Sequence, residues 1–184
     1  LHGLQAAVYN HPNIEVHIQT ELIKLTGHVG QFRSTVLRLT LDGSQEQELS
    51  HGVIVAATGG REFRPQGRYL YGEDPRVLTQ RELEGKINFG DLDLPKVRRL
   101  VMIQCVGSRE PDHPYCSRLC CSQALKNALL LKERYPLMGI TILYRDLRAY
   151  GFRESYYVKA KDQGVTFIPF EAARPIRVTA ARRR

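Results

Sequence analysis

All four cysteines of this 184-residue chain fall within one window of seventeen positions. They are Cys105, then after ten residues Cys116, then after three more the adjacent pair Cys120-Cys121. Free cysteines that only fill interior space behave as small hydrophobic residues, and chance would rarely collect them in this way. Four thiolates are what an iron–sulfur cluster or a structural zinc requires. The window therefore predicts a metal centre.

The spacing of the cysteines leaves the kind of centre open. It matches neither the paired Cys-x-x-Cys motifs of a zinc ribbon nor the cysteine run of a bacterial ferredoxin. A redox-active disulfide and buried structural thiols are the alternatives to a metal. Four cysteines in one segment cannot staple a chain of this length, so we expect a reducing, intracellular setting.

The second half of the chain alternates strand and helix patterns. Apolar runs of strand length and apolar residues at helical spacing predict three strands and two helices. In order, these are a strand at 99–105, a helix at 120–134, a strand at 139–144, a helix at 154–162 and a strand at 165–168. A right-handed parallel βαβαβ unit of Rossmann-like type is the natural closure.

The first half predicts a β-meander. Helical spacing over residues 1–10 precedes a series of short alternating runs joined by turn signals. The predicted strands cover residues 14–18, 22–25, 32–41 and 46–49. Asp42-Gly43 is a typical hairpin turn between the last two of these strands.

A continuous apolar run follows the meander at residues 52–60. Such a run predicts a strand that is buried on both faces, as in parallel sheets. It ends in small residues and two glycines, Gly59 and Gly60, where a backbone can approach a ligand closely. The alternative is a buried strand with a plain glycine turn.

A connector rich in glycine, proline and charge separates the two halves. It holds one short helix signal, in which Thr79 caps the helix and Glu82 completes a capping box. We expect a domain boundary within it. The predicted organisation is a first domain at 1–65, a linker at 66–95 and a second domain at 96–184.

Composition argues against several classes of function. The net charge of +8 comes from dispersed basic residues interleaved with carboxylates, and the only basic run is Arg182-Arg183-Arg184. A solvated basic face, without nucleic-acid binding, is the expectation. No run has the ~20 apolar residues that cross a bilayer, and no signal peptide is recognised. The chain does not begin with Met, so we expect a piece of a longer protein.

Several stretches resemble the A subunit of heterodisulfide reductase, which is a flavin and iron–sulfur protein. The stretches around the cysteines are 101–109, 115–121, 126–128 and 142–146. Those in the first half are 27–32 and 57–60. Together they extend over nearly the whole chain, and the cysteine segment is the most specific.

The resemblance implies an α/β fold of the thioredoxin-reductase-like type with two dinucleotide domains. It implies a partial FAD-binding domain with a β-meander, and an inserted Rossmann-like domain that carries the cysteines. Close approach to FAD falls to Ala57, Thr58 and Gly59. The ligands of a [4Fe–4S] cluster are then Cys105, Cys116, Cys120 and Cys121.

The function implied by the resemblance is electron transfer in a cytoplasmic oxidoreductase. The expected partners are the other subunits of a heterodisulfide-reductase-like complex and ferredoxin or hydrogenase-type electron donors. No catalytic residue is assigned, and we expect this piece to be inactive by itself. Arg109 and Arg118 are candidates for raising the cluster potential, unless they are only exposed or ion-paired.

Two departures from the family pattern keep other functions open. The Gly-x-Gly-x-x-Gly fingerprint for the FAD pyrophosphate is absent, so we expect FAD affinity to be weak or nil here. Four cysteines suffice for one cluster only. The alternatives are part of an NAD(P)H-dependent FAD disulfide oxidoreductase with redox-active thiols, or a zinc-stabilised interaction domain.

Overall fold

A computed structural model of the chain describes residues 2–91, 93–174 and 176–180. It divides into two compact units, residues 1–60 (unit 1) and residues 61–184 (unit 2). Antiparallel pairing in unit 1 and parallel pairing in unit 2 make the chain a mixed α/β protein. The terminal arginine run 182–184 lies outside the described residues.

Unit 1 is a helix followed by a three-stranded antiparallel sheet in the order β1-β2-β3. Its elements are α1 (His2–Tyr9), β1 (Thr20–His28), β2 (Gln31–Thr40) and β3 (Gly43–His51). The predicted N-terminal helix is therefore confirmed, and so is the β-meander over the last three of its four predicted strands. At the β1–β2 turn Gly27 has φ +94°, and a Cβ there would overlap the carbonyl oxygen of Gln31. Only glycine satisfies that turn without strain.

Two predicted strands of unit 1 are wrong. Residues 14–18 and 53–60 are irregular, and Val53 and Val55 are 70% and 85% exposed. A strand buried on both faces needs a parallel neighbour and a covering layer on each side. The described part of unit 1 supplies an antiparallel sheet of three strands instead, so the run at 52–60 has no such surroundings.

Unit 2 has a parallel sheet in the order β4-β5-β6, with a helix in each crossover. Its elements are α2 (Gln80–Phe89), β4 (Arg99–Ile103), α3 (Cys120–Arg134), β5 (Gly139–Tyr144), α4 (Glu154–Asp162) and β6 (Thr166–Pro169). Short 3-10 turns precede β4 and α4. The parallel βαβαβ order is thus confirmed, while its assignment to a Rossmann-type domain of a flavoprotein stays a prediction.

The core of unit 2 lies between the sheet and α3. Along α3 the side chains of Ala124, Leu125, Ala128 and Leu131 are at most 1% exposed, which is the 3.6-residue period of one buried helix face. They belong to one apolar cluster with Ile142 and other sheet residues. Burying a large apolar side chain contributes about 1.5–3 kcal/mol. This packing holds the start of α3 against the end of β4.

Helix α2 adds Leu83 and Ile87 to the same core, so part of the connector is packed. α3 is the longest described helix, at 15 residues. Among the described residues no helix is both long and apolar enough to cross a membrane.

The capping box predicted for α2 is confirmed. The hydroxyl of Thr79 accepts a hydrogen bond from the backbone N–H of Glu82 at 3.2 Å, and the Glu82 carboxylate accepts from the Thr79 N–H at 2.7 Å. The Tyr71 hydroxyl also donates to Glu82, at 2.9 Å. The two bonds of the capping box satisfy backbone N–H groups that the first helical turn leaves free.

Replacing Thr79 with Ala should lower the free energy of unfolding of unit 2 by about 1 kcal/mol, because the cap bond is lost. Thr179→Ala is the matched control, since Thr179 is exposed and lies outside helices and strands. Its expected effect is within about 0.5 kcal/mol of zero. Urea unfolding of both variants measures the difference, and equal effects would contradict a stabilising cap.

Candidate metal centre

The cysteine loop, which joins β4 to α3, has an unusual backbone. Three non-glycine residues of the loop lie in the left-handed region, Cys105 at φ +63°, Arg109 at +60° and Arg118 at +61°. Each such conformation costs on the order of 1–2 kcal/mol. Strain of this kind persists only where the surroundings impose it, and it concentrates at functional sites. The loop is therefore held in a defined shape.

The connector supplies part of that restraint. Arg68 donates hydrogen bonds to both carboxylate oxygens of Glu110 in the loop, each at 2.7 Å. Glu110 in turn accepts the Gly107 N–H at 3.3 Å. The Arg68 guanidinium lowers the pKa of Glu110 and so keeps it ionised. The ring of Phe63 lies directly against Gly107.

Gly107→Ala should destabilise the chain by more than the left-handed backbone strain at residue 107 alone would cause. Gly107 has φ +69° and an added Cβ would overlap the Phe63 ring, whereas Gly67 has φ +70° with nothing within 4 Å. Gly67→Ala is thus the matched control for left-handed strain, about 1 kcal/mol. We expect Gly107→Ala to cost at least about 1 kcal/mol more in urea unfolding.

Adding Phe63→Ala to Gly107→Ala should recover most of the extra stability that Gly107→Ala loses, because the overlap with the ring is relieved. Equal losses for Gly67→Ala and Gly107→Ala would mean that Phe63 does not restrain the loop.

Three of the four sulfurs interact at the start of α3. The Cys120 sulfur interacts with the Cys121 thiol, accepts a hydrogen bond from the Ser117 hydroxyl at 3.3 Å and lies near the Cys105 backbone N–H. These donors lower the pKa of Cys120 to about 5, although its burial opposes the shift. The lowered pKa favours the thiolate form of Cys120.

The other two thiols of this group stay protonated. The pKa of Cys121 is raised because its thiol donates to Cys120, and because the side chain is buried. The pKa of Cys105 is raised by burial and then by the nearby charge of Cys120. The three sulfurs are therefore electrostatically coupled, with Cys120 the first to ionise.

Cys116 has different contacts. Its sulfur accepts the backbone N–H of Arg118 at 3.3 Å and interacts with the guanidinium of Arg148. All four cysteines are free thiols. Among the described residues, no set of three or more His, Cys, Asp and Glu side chains has an arrangement that could hold a metal ion. Cys105 interacts with the pair at α3, whereas the contacts of Cys116 are with Arg118 and Arg148.

The residues present fit a thiolate-ligated cluster by their chemistry. The cysteine loop and the start of α3 together offer four reduced sulfurs, and backbone N–H and hydroxyl donors already point at two of them, Cys116 and Cys120. N–H and O–H donors to sulfur are the contacts that support and tune such clusters.

The β5–α4 loop brings Arg145 and Arg148 to the cysteine loop, and the sequence analysis did not single out these two as site residues. Arg148 and Arg109 both bind Asp146, at 3.0 and 2.9 Å. Arg145 donates to the backbone carbonyl of Arg109 at 2.6 Å. Adjacent parallel strands end at the same edge of a sheet, so the loop after β5 could have been expected to lie near the loop after β4. Arg109 is ion-paired beside the thiols, whereas Arg118 contributes its backbone N–H.

The predicted FAD contacts Ala57, Thr58 and Gly59 belong to unit 1, in the exposed irregular segment after β3. The cysteines belong to unit 2. The assignment of these three residues to FAD stays a prediction.

No protein-family model matches the chain. Curated proteins do. It is 38% identical over 70% of its length to the A subunit of the ferredoxin:CoB-CoM heterodisulfide reductase of Methanosarcina acetivorans. It is 42% identical over 67% of its length to the A subunit of the H2/formate:CoB-CoM heterodisulfide,ferredoxin reductase of Methanococcus maripaludis. It is 39% identical over 70% of its length to the second iron-sulfur A subunit of the CoB–CoM heterodisulfide reductase of Methanopyrus kandleri.

The chain spans about a fifth of the length of these relatives, with matched shares of 21%, 21% and 22%. The similarity therefore concerns one segment of a much longer polypeptide.

Proposed function

Because this chain belongs to the family of heterodisulfide reductase A subunits, we propose that it is the iron–sulfur segment of an electron-transferring oxidoreductase. Its four cysteines, Cys105, Cys116, Cys120 and Cys121, ligate one [4Fe–4S] cluster. The observation that carries the proposal is the meeting of Cys105, from the end of β4, with the pair at the start of α3. The word iron-sulfur in the name of one relative supports it.

The residues of the chain prepare the site for a cluster. When bound, the cluster accepts and releases single electrons. The lowered pKa of Cys120 favours its thiolate form, whereas the raised pKa values of Cys105 and Cys121 mean that each must lose a proton to bind iron. Cluster uptake should therefore release protons and favour mildly alkaline pH. Arg148, beside Cys116, reduces the repulsion among the gathered thiolates.

The surrounding architecture is part of the same proposal. Unit 2 acts as an inserted Rossmann-like domain, and unit 1 as part of an FAD-binding domain in which Ala57, Thr58 and Gly59 approach the flavin. In the longer protein, electrons pass between FAD and this cluster. The partners are the other subunits of the complex and ferredoxin or hydrogenase-type donors. The word ferredoxin in the relatives' names supports that class of donor.

Anaerobic reconstitution of the purified chain with iron and sulfide tests the proposal. About four irons per chain and a broad visible absorption that bleaches on reduction are expected for one [4Fe–4S] cluster. The matched control is the same chain after its thiols have been alkylated, which should stay colourless. A colourless unmodified chain would overturn the cluster assignment.

Metal analysis separates the remaining alternatives. One tightly held zinc per chain, with no iron uptake, would favour the zinc-stabilised domain. A chain that takes up neither metal but reduces a disulfide with a fast-reacting thiol pair would favour thiol–disulfide chemistry, for which the thiolate of Cys120 is the available nucleophile.

A further inference from the structure

Gln104 is a buried amide without hydrogen-bond partners. Its residue is 2% exposed, and neither the amide nitrogen nor the amide oxygen has a partner among the described residues. Asn127, the other buried amide with an orphan atom, differs because its nitrogen donates to Gln80 at 2.9 and 3.1 Å. Buried amide groups are almost always paired. An amide with both ends free in a core therefore needs an explanation.

The position of Gln104 links this amide to the cysteine site. Its backbone N–H continues the β4–β5 pairing by donating to Leu143 at 2.9 Å. The next N–H along the chain, that of Cys105, lies near the Cys120 sulfur. Gln104 therefore lies between the end of β4 and the first turn of α3. Strand alternation places its side chain on the same face as Met102, which belongs to the core cluster with α3.

A glutamine is costly at such a place unless something binds it. Leaving a buried polar group unpaired destabilises a fold, and an apolar side chain of the same shape would avoid that cost. Amide N–H groups are common donors to the sulfurs of iron–sulfur clusters, and they raise the reduction potential by stabilising the more negative reduced state.

We infer that Gln104 is a positioning residue of the metal centre, whose side-chain N–H donates to a sulfur of the bound cluster. This inference rests on the proposed function and deepens it. In the metal-free chain the amide is an orphan; in the loaded chain it is satisfied. Gln104 thus couples the folding of unit 2 to cluster binding, and it holds the cluster potential above the value that an apolar residue would set.

The test uses two variants of the reconstituted 184-residue chain. Gln104→Leu removes the donor and the orphan together, and Gln104→Glu keeps the shape but replaces the donor with an acceptor. We expect Gln104→Leu to raise the melting temperature of the metal-free chain by a few degrees. In the loaded chain both variants should lower the midpoint potential, and iron loss to a chelator should become about tenfold faster.

Met102→Leu is the matched control, because Met102 is buried at 3% exposure on the same face of the same strand. A volume-conserving apolar exchange there should leave the potential and the rate of iron loss unchanged. Potentials and iron-loss rates of both Gln104 variants equal to wild type would overturn the inference, whatever happens to metal-free stability. Gln104 would then be a core amide served by an internal water.

The wild-type measurement separates this inference from the proposed function. If the unmodified chain takes up no iron, the cluster assignment fails and the role of Gln104 fails with it. If wild type takes up iron and only the Gln104 effects are absent, the cluster assignment stands. A variant that keeps its helix and strand content by circular dichroism but takes up less iron supports the inference.

Discussion

Cys105→Gly should abolish cluster uptake while leaving the metal-free chain more stable than Cys105→Ala. Both variants lose the sulfur that joins the end of β4 to the pair at α3, so iron per chain should fall from about four to well below one. They differ in backbone freedom, because residue 105 has φ +63°. A side chain in the left-handed region destabilises the folded Ala variant by about 1–2 kcal/mol. Glycine avoids this strain but loses more chain entropy on folding, which reduces its advantage. The expected advantage of Gly over Ala is about 1 kcal/mol.

Iron analysis after reconstitution and urea unfolding of the metal-free chain measure the two effects separately. Comparing Gly139→Ala with wild type gives the stability difference between Gly and Ala at a position without left-handed strain. Gly139 has no left-handed φ, and the nearest atom to an added Cβ is at an ordinary contact distance of 3.6 Å. A Cys105 variant that retains four irons and the visible band would remove Cys105 from the ligand set. Cluster loss with no Gly–Ala difference would show that the left-handed strain is absent in solution.

Reduced, metal-free chain should react with iodoacetamide mainly at Cys120 at pH 6. With a pKa of about 5 this thiol is mostly thiolate at that pH, whereas an ordinary cysteine is about 0.1–1% ionised. A thiolate of low pKa is also a weaker nucleophile, with a Brønsted coefficient of about 0.4–0.5, which offsets roughly two of the nearly three orders of magnitude gained in thiolate fraction. The net expectation is about tenfold faster alkylation than for an unperturbed thiol, with little change between pH 6 and 8.

Ser117→Ala is the informative variant, because it removes one donor to the Cys120 sulfur at 3.3 Å and should move the alkylation profile to higher pH. Ser155→Ala serves as control, since among the described residues Ser155 donates to a nearby carbonyl, that of Phe152, and not to a sulfur. Iron loading should protect Cys120 in both. A wild-type rate that rises tenfold for each pH unit from 6 to 8 would contradict the lowered pKa.

The same pKa sets the sign of the pH dependence of stability. The folded-state pKa of Cys120 lies below its unfolded value, so the unfolded chain binds more protons between about pH 5 and 9. The contribution of Cys120 to stability is complete above the unfolded pKa and is lost as pH falls through about 5. Cys121, whose pKa is raised, acts in the opposite direction above about pH 9.

Local patterns predicted the elements of unit 2 closely. The helix predicted at 120–134 is observed with the same bounds, and the capping box at Thr79 is formed. These features depend on residues within one or two turns of each other, so sequence spacing contains nearly all the relevant physics. The parallel order of β4, β5 and β6 followed from the alternation of strands and helices, because parallel strands require crossovers.

The same reasoning failed at residues 14–18 and 52–60, where the pattern is that of a strand but the described chain offers no matching neighbour. The apolar composition of a segment indicates how much free energy its burial would contribute. It does not supply the partner strand whose backbone groups complete the pairing.

Residue order was enough to establish the inventory of this protein: four thiols in one segment, a helix that begins at Cys120, and similarity to a family of iron–sulfur proteins. The surroundings of those thiols depend on packing. Contact of α3 with the sheet brings Cys105 to Cys120, places Arg145 and Arg148 beside them, and buries the Gln104 amide without a described partner. The sequence specifies which side chains are present. The distances between side chains that are tens of residues apart are set only when the ends of strands and the starts of helices pack together.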